Sequence, residues 1–324
     1  MSDLPPGIST PSSLAHALLP VIQEACENRL TNVTWFRTDW QRGGAATGKA
    51  TYAASDGESV TVVLKLPIVQ RELTWNRRLQ CREQSQEKRW CIPKLYASGT
   101  ELGGYDLAWI LSEHLSYGPL AHHWHESHIP RIARAAAEFY AATSTHPVDQ
   151  PGKNENWQHL LDEALHHLKV NDPPERQQWT TLIKTLKGRL DHWLEIWNKR
   201  ECTHWLHGDL HLANAMTREP DEFSPVCLLD LAEIHAGHWV EDAVYLERQL
   251  WGRPDRLQKY KPVKEIAQAR KELGLSVDGD YPRLAMIRRG LLAATAPRFI
   301  KSEGHPAYLH ACLQWLTIAL NEVK

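Results

Sequence analysis

The spacing of apolar residues changes about a third of the way along the chain, and that change restricts the fold more than any other feature. Residues 59–66, SVTVVLKL, alternate: Val60, Val62, Leu64 and Leu66 fall on one face, Thr61, Val63 and Lys65 on the other. This is the period of a half-buried strand, and Pro67 ends it. Strands are also expected over 33–40 and 49–54, a helix over 69–80, and extended segments near 93–97 and 107–112. Residues 12–28 carry Leu14, Leu18, Val21, Ile22 and Cys26 at helical spacing, and Pro20 predicts a kink or two short helices there. Beyond residue 115 the spacing is helical over 129–145, 155–169, 174–199, 241–251, 262–273, 280–296 and 306–323. Short extended runs at 203–206, 215–217 and 226–230 interrupt it. The expectation is an α+β protein of two lobes: a small antiparallel β-sheet lobe over 1–115 and a larger, mainly helical lobe over 116–324.

Composition removes several function classes. The net charge of −2 gives no reason to expect nucleic acid or a membrane surface as a partner. No apolar run approaches the roughly 18 residues that span a bilayer, and the first residues lack the basic and apolar regions of a secretory signal. The six cysteines are scattered without a CxxC pair, as expected for buried thiols in a reducing cytoplasm.

The chemistry is concentrated in two segments. One is His207-Gly208-Asp209-Leu210-His211-Leu212-Ala213-Asn214; the other is Val226-Cys227-Leu228-Leu229-Asp230, followed by Gly237 and Asp242. Phosphoryl transfer needs a carboxylate beside the acceptor hydroxyl and oxygen ligands that hold Mg²⁺ against nucleotide phosphates. Asp209 and Asn214 supply a carboxylate and an amide oxygen in one loop, and Asp230 adds a carboxylate at the end of an apolar strand.

With this pattern, HGDxxxxN followed by an apolar run ending in Asp, the sequence resembles the aminoglycoside phosphotransferase and choline-kinase-like small-molecule kinases, distant relatives of protein kinases. The resemblance implies a bilobal protein-kinase-like fold and the cofactors ATP and Mg²⁺. It implies that Asp209 orients the acceptor hydroxyl or takes its proton, and that Asn214 and Asp230 are the metal ligands. Asp242 would brace the catalytic loop. His211 stands where protein kinases carry a phosphate-contacting lysine and is the second catalytic candidate; His207 would pack and hydrogen-bond the loop.

In the first lobe, Lys65 is the candidate cation for the α- and β-phosphates, oriented by Glu72, with Glu83 and Glu87 as alternatives. The Gly-rich stretch 43–48, with Gly43, Gly44 and Thr47, would be the turn covering the phosphates. GGAATGKA at 43–50 nearly fits a P-loop but fails at Ala50 and leads into a strand. The segment AWILSEHL at 108–115 resembles the one joining the lobes, where adenine would pair with the Ser112 carbonyl and the His114 N–H.

The remaining features have mostly structural readings. His122, His125 and His128 share a helical spacing, read as a solvated helix start rather than a metal site. Most of the 14 tryptophans are expected in the core, with Trp239 and Trp251 as candidates to stack on an acceptor. Residues 241–324 hold 14 basic and 10 acidic side chains, a balance that leans away from a polycationic acceptor. The reading is an ATP-dependent kinase acting on a small-molecule hydroxyl acceptor such as a sugar or amino alcohol, with the oligomeric state open. The alternative of another class is a nucleotide-binding pseudokinase. A protein kinase is disfavoured, since HRD, DFG and APE motifs are lacking.

Overall fold

The computed structural model describes residues 11–37, 45–80, 91–257 and 259–324. In chain order the elements are α1 (Pro11–Ala25), β1 (Leu30–Arg37), β2 (Ala46–Ala53), β3 (Ser59–Leu66), α2 (Gln70–Arg78), β4 (Leu95–Gly99), β5 (Trp109–Glu113), α3 (His128–Thr143), α4 (Trp157–Asn171), α5 (Arg176–Asn198) and β6 (His204–Leu206). There follow β7 (Ala215–Thr217), β8 (Val226–Leu228), β9 (His235–Gly237), α6 (Val240–Arg248), α7 (Pro254–Leu257), α8 (Pro262–Glu272), α9 (Tyr281–Thr295), α10 (Ile300–Glu303) and α11 (Pro306–Glu322). The chain divides into two compact units, one of residues 1–118 with 216–233, the other of 119–215 with 234–324.

The first unit is built on a five-stranded antiparallel sheet of order β1-β2-β3-β5-β4. The alternation in β3 buries Val62, Leu64 and Leu66 completely. They join Leu18 and Ile22 of α1, and Cys26 just after it, in one core with Tyr52, Trp109 and Leu111. Of the two expectations at Pro20, a kink or two short helices, the second is not met: a single helix, α1, runs through it, and that burial is the reason. Burying side chains of this size is worth about 1.5–3 kcal/mol each, enough to offset a lost backbone bond. The other face of the sheet covers a smaller cluster of Ile68, Leu73, Ala108 and Ile110 beneath α2.

The segment 216–233 belongs to this unit for a visible reason. Arg218 makes a two-pronged bond to Glu113 of β5, Nε to Oε1 and Nη2 to Oε2, both at 2.8 Å. The same guanidinium reaches the Ile92 carbonyl at 3.2 Å, and the Leu228 N–H donates to the Cys91 carbonyl at 2.6 Å. A planar fork holding a carboxylate and a carbonyl fixes both position and angle.

The second unit is helical. All seven helices expected beyond residue 115 form, with ends shifted by three residues or fewer. Trp179, Trp193 and Trp197 of α5 are fully buried. A two-stranded ribbon, β6 with β9, interrupts the helices and sets the entry to the loop that follows β6. No helix among the described residues is long and apolar enough to cross a membrane.

Candidate active site

In the first unit, period-two alternation puts Lys65 on the face of β3 opposite its buried leucines. Its Nζ donates to Glu72 Oε1 at 2.7 Å and to Asp230 Oδ1 at 3.0 Å. Glu72 lies in the first turn of α2 and is buried. Asp230 follows β8 in a left-handed conformation, φ 62°, before a 3₁₀ turn at Leu231–Glu233. Aspartate tolerates that conformation better than most residues, and the bend delivers its carboxylate to a lysine 165 positions earlier. Burial alone would lower the Lys65 pKa; Glu72 and Asp230 together raise it above the usual lysine value, so the ammonium keeps its charge.

Several expected positions fall differently. Thr47 stands opposite Lys65 inside β2, and Gly48 is also a strand residue, so the proposed phosphate-covering turn does not extend to 48. Gly43 and Gly44, and the alternative acids Glu83 and Glu87, lie outside the described residues. Of the two backbone groups expected to meet adenine, the His114 N–H is engaged within the sheet. The His114 N–H donates to the Thr61 carbonyl at 3.3 Å. Ser112 stands opposite Val63 in the same antiparallel ladder.

In the second unit the loop after β6 is organised by Asp242, which is buried at the start of α6. Asp242 Oδ2 accepts from the His207 N–H at 2.8 Å and from the Tyr140 hydroxyl at 3.0 Å, and Oδ1 accepts from the Gly208 N–H at 2.9 Å. Gly208 turns the chain at φ 82°, a conformation that costs other residues a Cβ clash. His207 is wholly buried against Phe139, and its Nδ1 accepts from the Asp209 N–H at 3.3 Å.

These bonds present Asp209, whose carboxylate is partly exposed. Asn214 Nδ2 donates to Asp209 Oδ2 at 2.8 Å and to its carbonyl at 3.1 Å. His211 Nδ1 accepts from the Ala213 N–H at 3.1 Å, so the ring proton sits on Nε2, which approaches Asp209 Oδ2 at 3.3 Å. The Tyr245 hydroxyl donates to the same carboxylate, and its ring lies 6.4 Å from that of His211. Burial acts to raise the Asp209 pKa, but His211, Tyr245 and Asn214 outweigh it and hold the carboxyl at about 2.

Tyr245 and Tyr140 were missed in the sequence. Only Tyr245 left a signal: it lies one turn after Asp242 on the same helix, and i,i+3 spacing shares a face. Trp239 and Trp251 are corrected as acceptor-stacking residues. Both are 2% exposed: Trp239 packs on Tyr281 and beneath the Arg270 guanidinium, and Trp251 packs between Tyr308 and Trp315. His128 is buried and its Nδ1 accepts from the His125 N–H, so it is not the solvated residue expected. Among the described residues no group of three or more His, Cys, Asp or Glu is arranged to hold a metal.

The family model described as the phosphotransferase enzyme family matches residues 31–287. No curated protein matches the chain. Among solved structures, the microcompartment-associated aminopropanol kinase is similar with a TM-score of 0.56 at 12% identity, covering 93% of this chain and 95% of that one. An aminoglycoside phosphotransferase from Alicyclobacillus acidocaldarius gives 0.55 at 13% identity, over 98% of this chain and 94% of that one. The GDP complex of aminoglycoside 2'-phosphotransferase-IIIa gives 0.55 at 15% identity, over 95% and 98%. At these identities the likeness is one of fold, protein-kinase-like and α+β. The family model reaches further, since it spans both the Lys65 strand and the Asp209 loop: the chain belongs to the phosphotransferase enzyme family.

Proposed function

We propose that the protein transfers the γ-phosphate of ATP to a hydroxyl of a small molecule. The observation that carries this reading is the Asp209 carboxylate, partly exposed and oriented by Asn214, His211 and Tyr245 on a loop pinned to Asp242. In the reaction the acceptor oxygen bonds to the γ-phosphorus as the bridging P–O bond breaks and ADP leaves. The hydroxyl proton passes to Asp209 as the new bond forms. A carboxyl with a pKa of about 2 is a weak base, so Asp209 acts first by orienting the hydroxyl and takes the proton late. Lys65 binds the α- and β-phosphates, exchanging carboxylate partners for phosphate oxygens. His211 directs its one ring proton, on Nε2, to Asp209, and meets the γ-phosphate by turning that proton from the carboxylate to a phosphate oxygen.

Each of the two expected ligands suits Mg²⁺ by its own chemistry. Asn214 turns its Nδ2 toward Asp209 and so its amide oxygen away, and the Asp230 carboxylate is 44% exposed. Two hard oxygen ligands from protein, with the rest from phosphates and water, are what Mg²⁺ takes in such sites. Bound there, the ion neutralises charge on the nucleotide phosphates. The aminopropanol kinase and aminoglycoside phosphotransferase among the similar folds support an amino-alcohol-like or sugar-like hydroxyl compound as the class of acceptor, and the GDP complex supports a nucleotide donor. The free thiols of Cys26, Cys91, Cys202, Cys227 and Cys312 support a reducing, cytoplasmic setting.

The test is ADP release from Mg·ATP across sugars, amino alcohols, nucleosides and aminoglycosides. Acceptor-stimulated release should fall about 10³-fold in Asp209→Asn while ATP binding stays within about twofold. Undiminished turnover in that variant would sink the mechanism.

A further inference from the structure

The geometry points to a subsite for an anionic group of the acceptor, a carboxylate or phosphate, at the C-terminal end of α6. This rests on the phosphotransferase reading above and narrows its substrate class. A cavity of about 390 Å³ opens there, lined by Arg248, Gln249, Gly252, Arg253, His305 and Tyr308. Among the described residues, no carboxylate lines it.

Its place follows from helical spacing. Tyr245, which bonds to Asp209, is on α6; Arg248 is three residues on and Gln249 four, so they share the face of Tyr245 about one turn away. The cavity thus begins one helical turn from the side chain that contacts the catalytic carboxylate. That suits the far end of an acceptor whose hydroxyl lies at Asp209.

The donors are held in position. Arg248 Nε donates to the Tyr308 hydroxyl at 2.6 Å, and its guanidinium lies 5.9 Å from the centres of both the Phe299 and Tyr308 rings. The opposite wall is the first turn of α11, a 17-residue helix whose N-terminus carries partial positive charge. His305 caps that turn, its Nδ1 accepting from the Ala307 N–H at 3.3 Å, which leaves Nε2 as the protonated nitrogen. Gly252 lets the walls approach: a Cβ there would lie 3.2 Å from the Tyr308 backbone. Two guanidinium groups and a ring N–H form a donor set for an oxyanion, and the positive end of the α11 dipole adds to the field without lending an N–H, since its first-turn amides are bonded to His305.

The experiment uses acceptors matched in skeleton and differing in charge: gluconate, glucose and glucosamine; glycerate, glycerol and 3-amino-1,2-propanediol. Glycerol 3-phosphate separates phosphate from carboxylate. ADP release and calorimetric binding are measured on the full-length protein, Arg253→Gln, Arg248→Gln and Asp209→Asn. Arg253 is exposed, so its variant tests charge without disturbing the core. The anionic members should show KM at least about tenfold below their neutral and amino counterparts. Arg253→Gln should raise that KM about tenfold, the loss of one charge-assisted bond, with KM for ATP moving less than about twofold. Asp209→Asn should keep anion binding and lose turnover. Preference for the amino compounds, or anion binding that is absent or indifferent to Arg253, overturns the subsite. The two readings fail separately. Asp209-dependent turnover without Arg253-dependent anion binding overturns only the subsite. Arg253-dependent binding without Asp209-dependent ADP release supports the subsite and overturns phosphotransfer.

Discussion

Asp230 and Asp242 are both acids of the same motif, and they are held in opposite ways. Asp230, in the first unit, is 44% exposed and meets the side chain of Lys65. Asp242, in the second, is buried and meets backbone N–H groups and a buried tyrosine hydroxyl. One is an ion pair between side chains that a ligand can take apart. The other is a fixture, since breaking it would strand buried donors without water. The groups read as meeting nucleotide and metal are exchangeable; the loop that presents Asp209 is set before anything binds. Preorganisation belongs where the hydroxyl must be aimed, and exchange where phosphates must displace carboxylates.

Substitutions can break this comparison. Asp230→Asn should lower kcat/KM for Mg·ATP about 10³-fold, with unfolding free energy changed by less than about 1 kcal/mol in a urea titration. A stability loss as large as that of the second aspartate would show the two to be alike. Asp242→Ala should destabilise by about 3 kcal/mol, because it orphans three donors; a shift within error would contradict the fixture.

Two pH measurements sharpen the contrast within the helical unit. Burial, with Arg131 and His125 nearby, lowers the His128 pKa from 6.5 to about 4. Its neutral form is favoured on folding, so its contribution is complete above about pH 6.5 and is lost as pH falls toward 4. The decline in wild-type stability across that window should be shallower in His128→Gln, by at most about 1.4 kcal/mol per pH unit. The smallest effect belongs to Asp209. Its pKa falls from 3.8 to about 2 on folding, so the stabilisation is present above pH 4 and is lost as pH falls through 2. The stability difference between wild type and Asp209→Asn should therefore be flat above pH 5 and change only in acid. Curvature near neutral pH would mean that the loop does not hold the carboxylate as described.

Much of this could be read in the sequence wherever one residue type at one spacing has a single physical use. The alternation of 59–66 gave β3 its limits and Lys65 its face, and the apolar run before Asp230 marked β8. Where several long-range contacts decide, sequence was blind. Pro20 breaks a helix in isolation, yet the core under α1 overrides it. The three-residue β9 is too short to show a period and exists through its pairing with β6. The backbone N–H of His114 carries no side-chain signature, so its bond to the Thr61 carbonyl was invisible. Tryptophan has the same letter in a core as in a binding site, and burial alone separates them at Trp239 and Trp251.

The membership of 216–233 in the first unit has a consequence in time. At about 5–20 residues per second, a ribosome releases Asp230 roughly 10–30 s after Lys65. Through that interval the sheet can form, and Lys65 has Glu72 as its partner, but the unit is still missing the strand and turn that complete it. Helices α3, α4 and α5 are all synthesised in between. The order of manufacture thus separates a lysine that could bind phosphate from the aspartate that would hold the metal, until the chain is nearly three-quarters made.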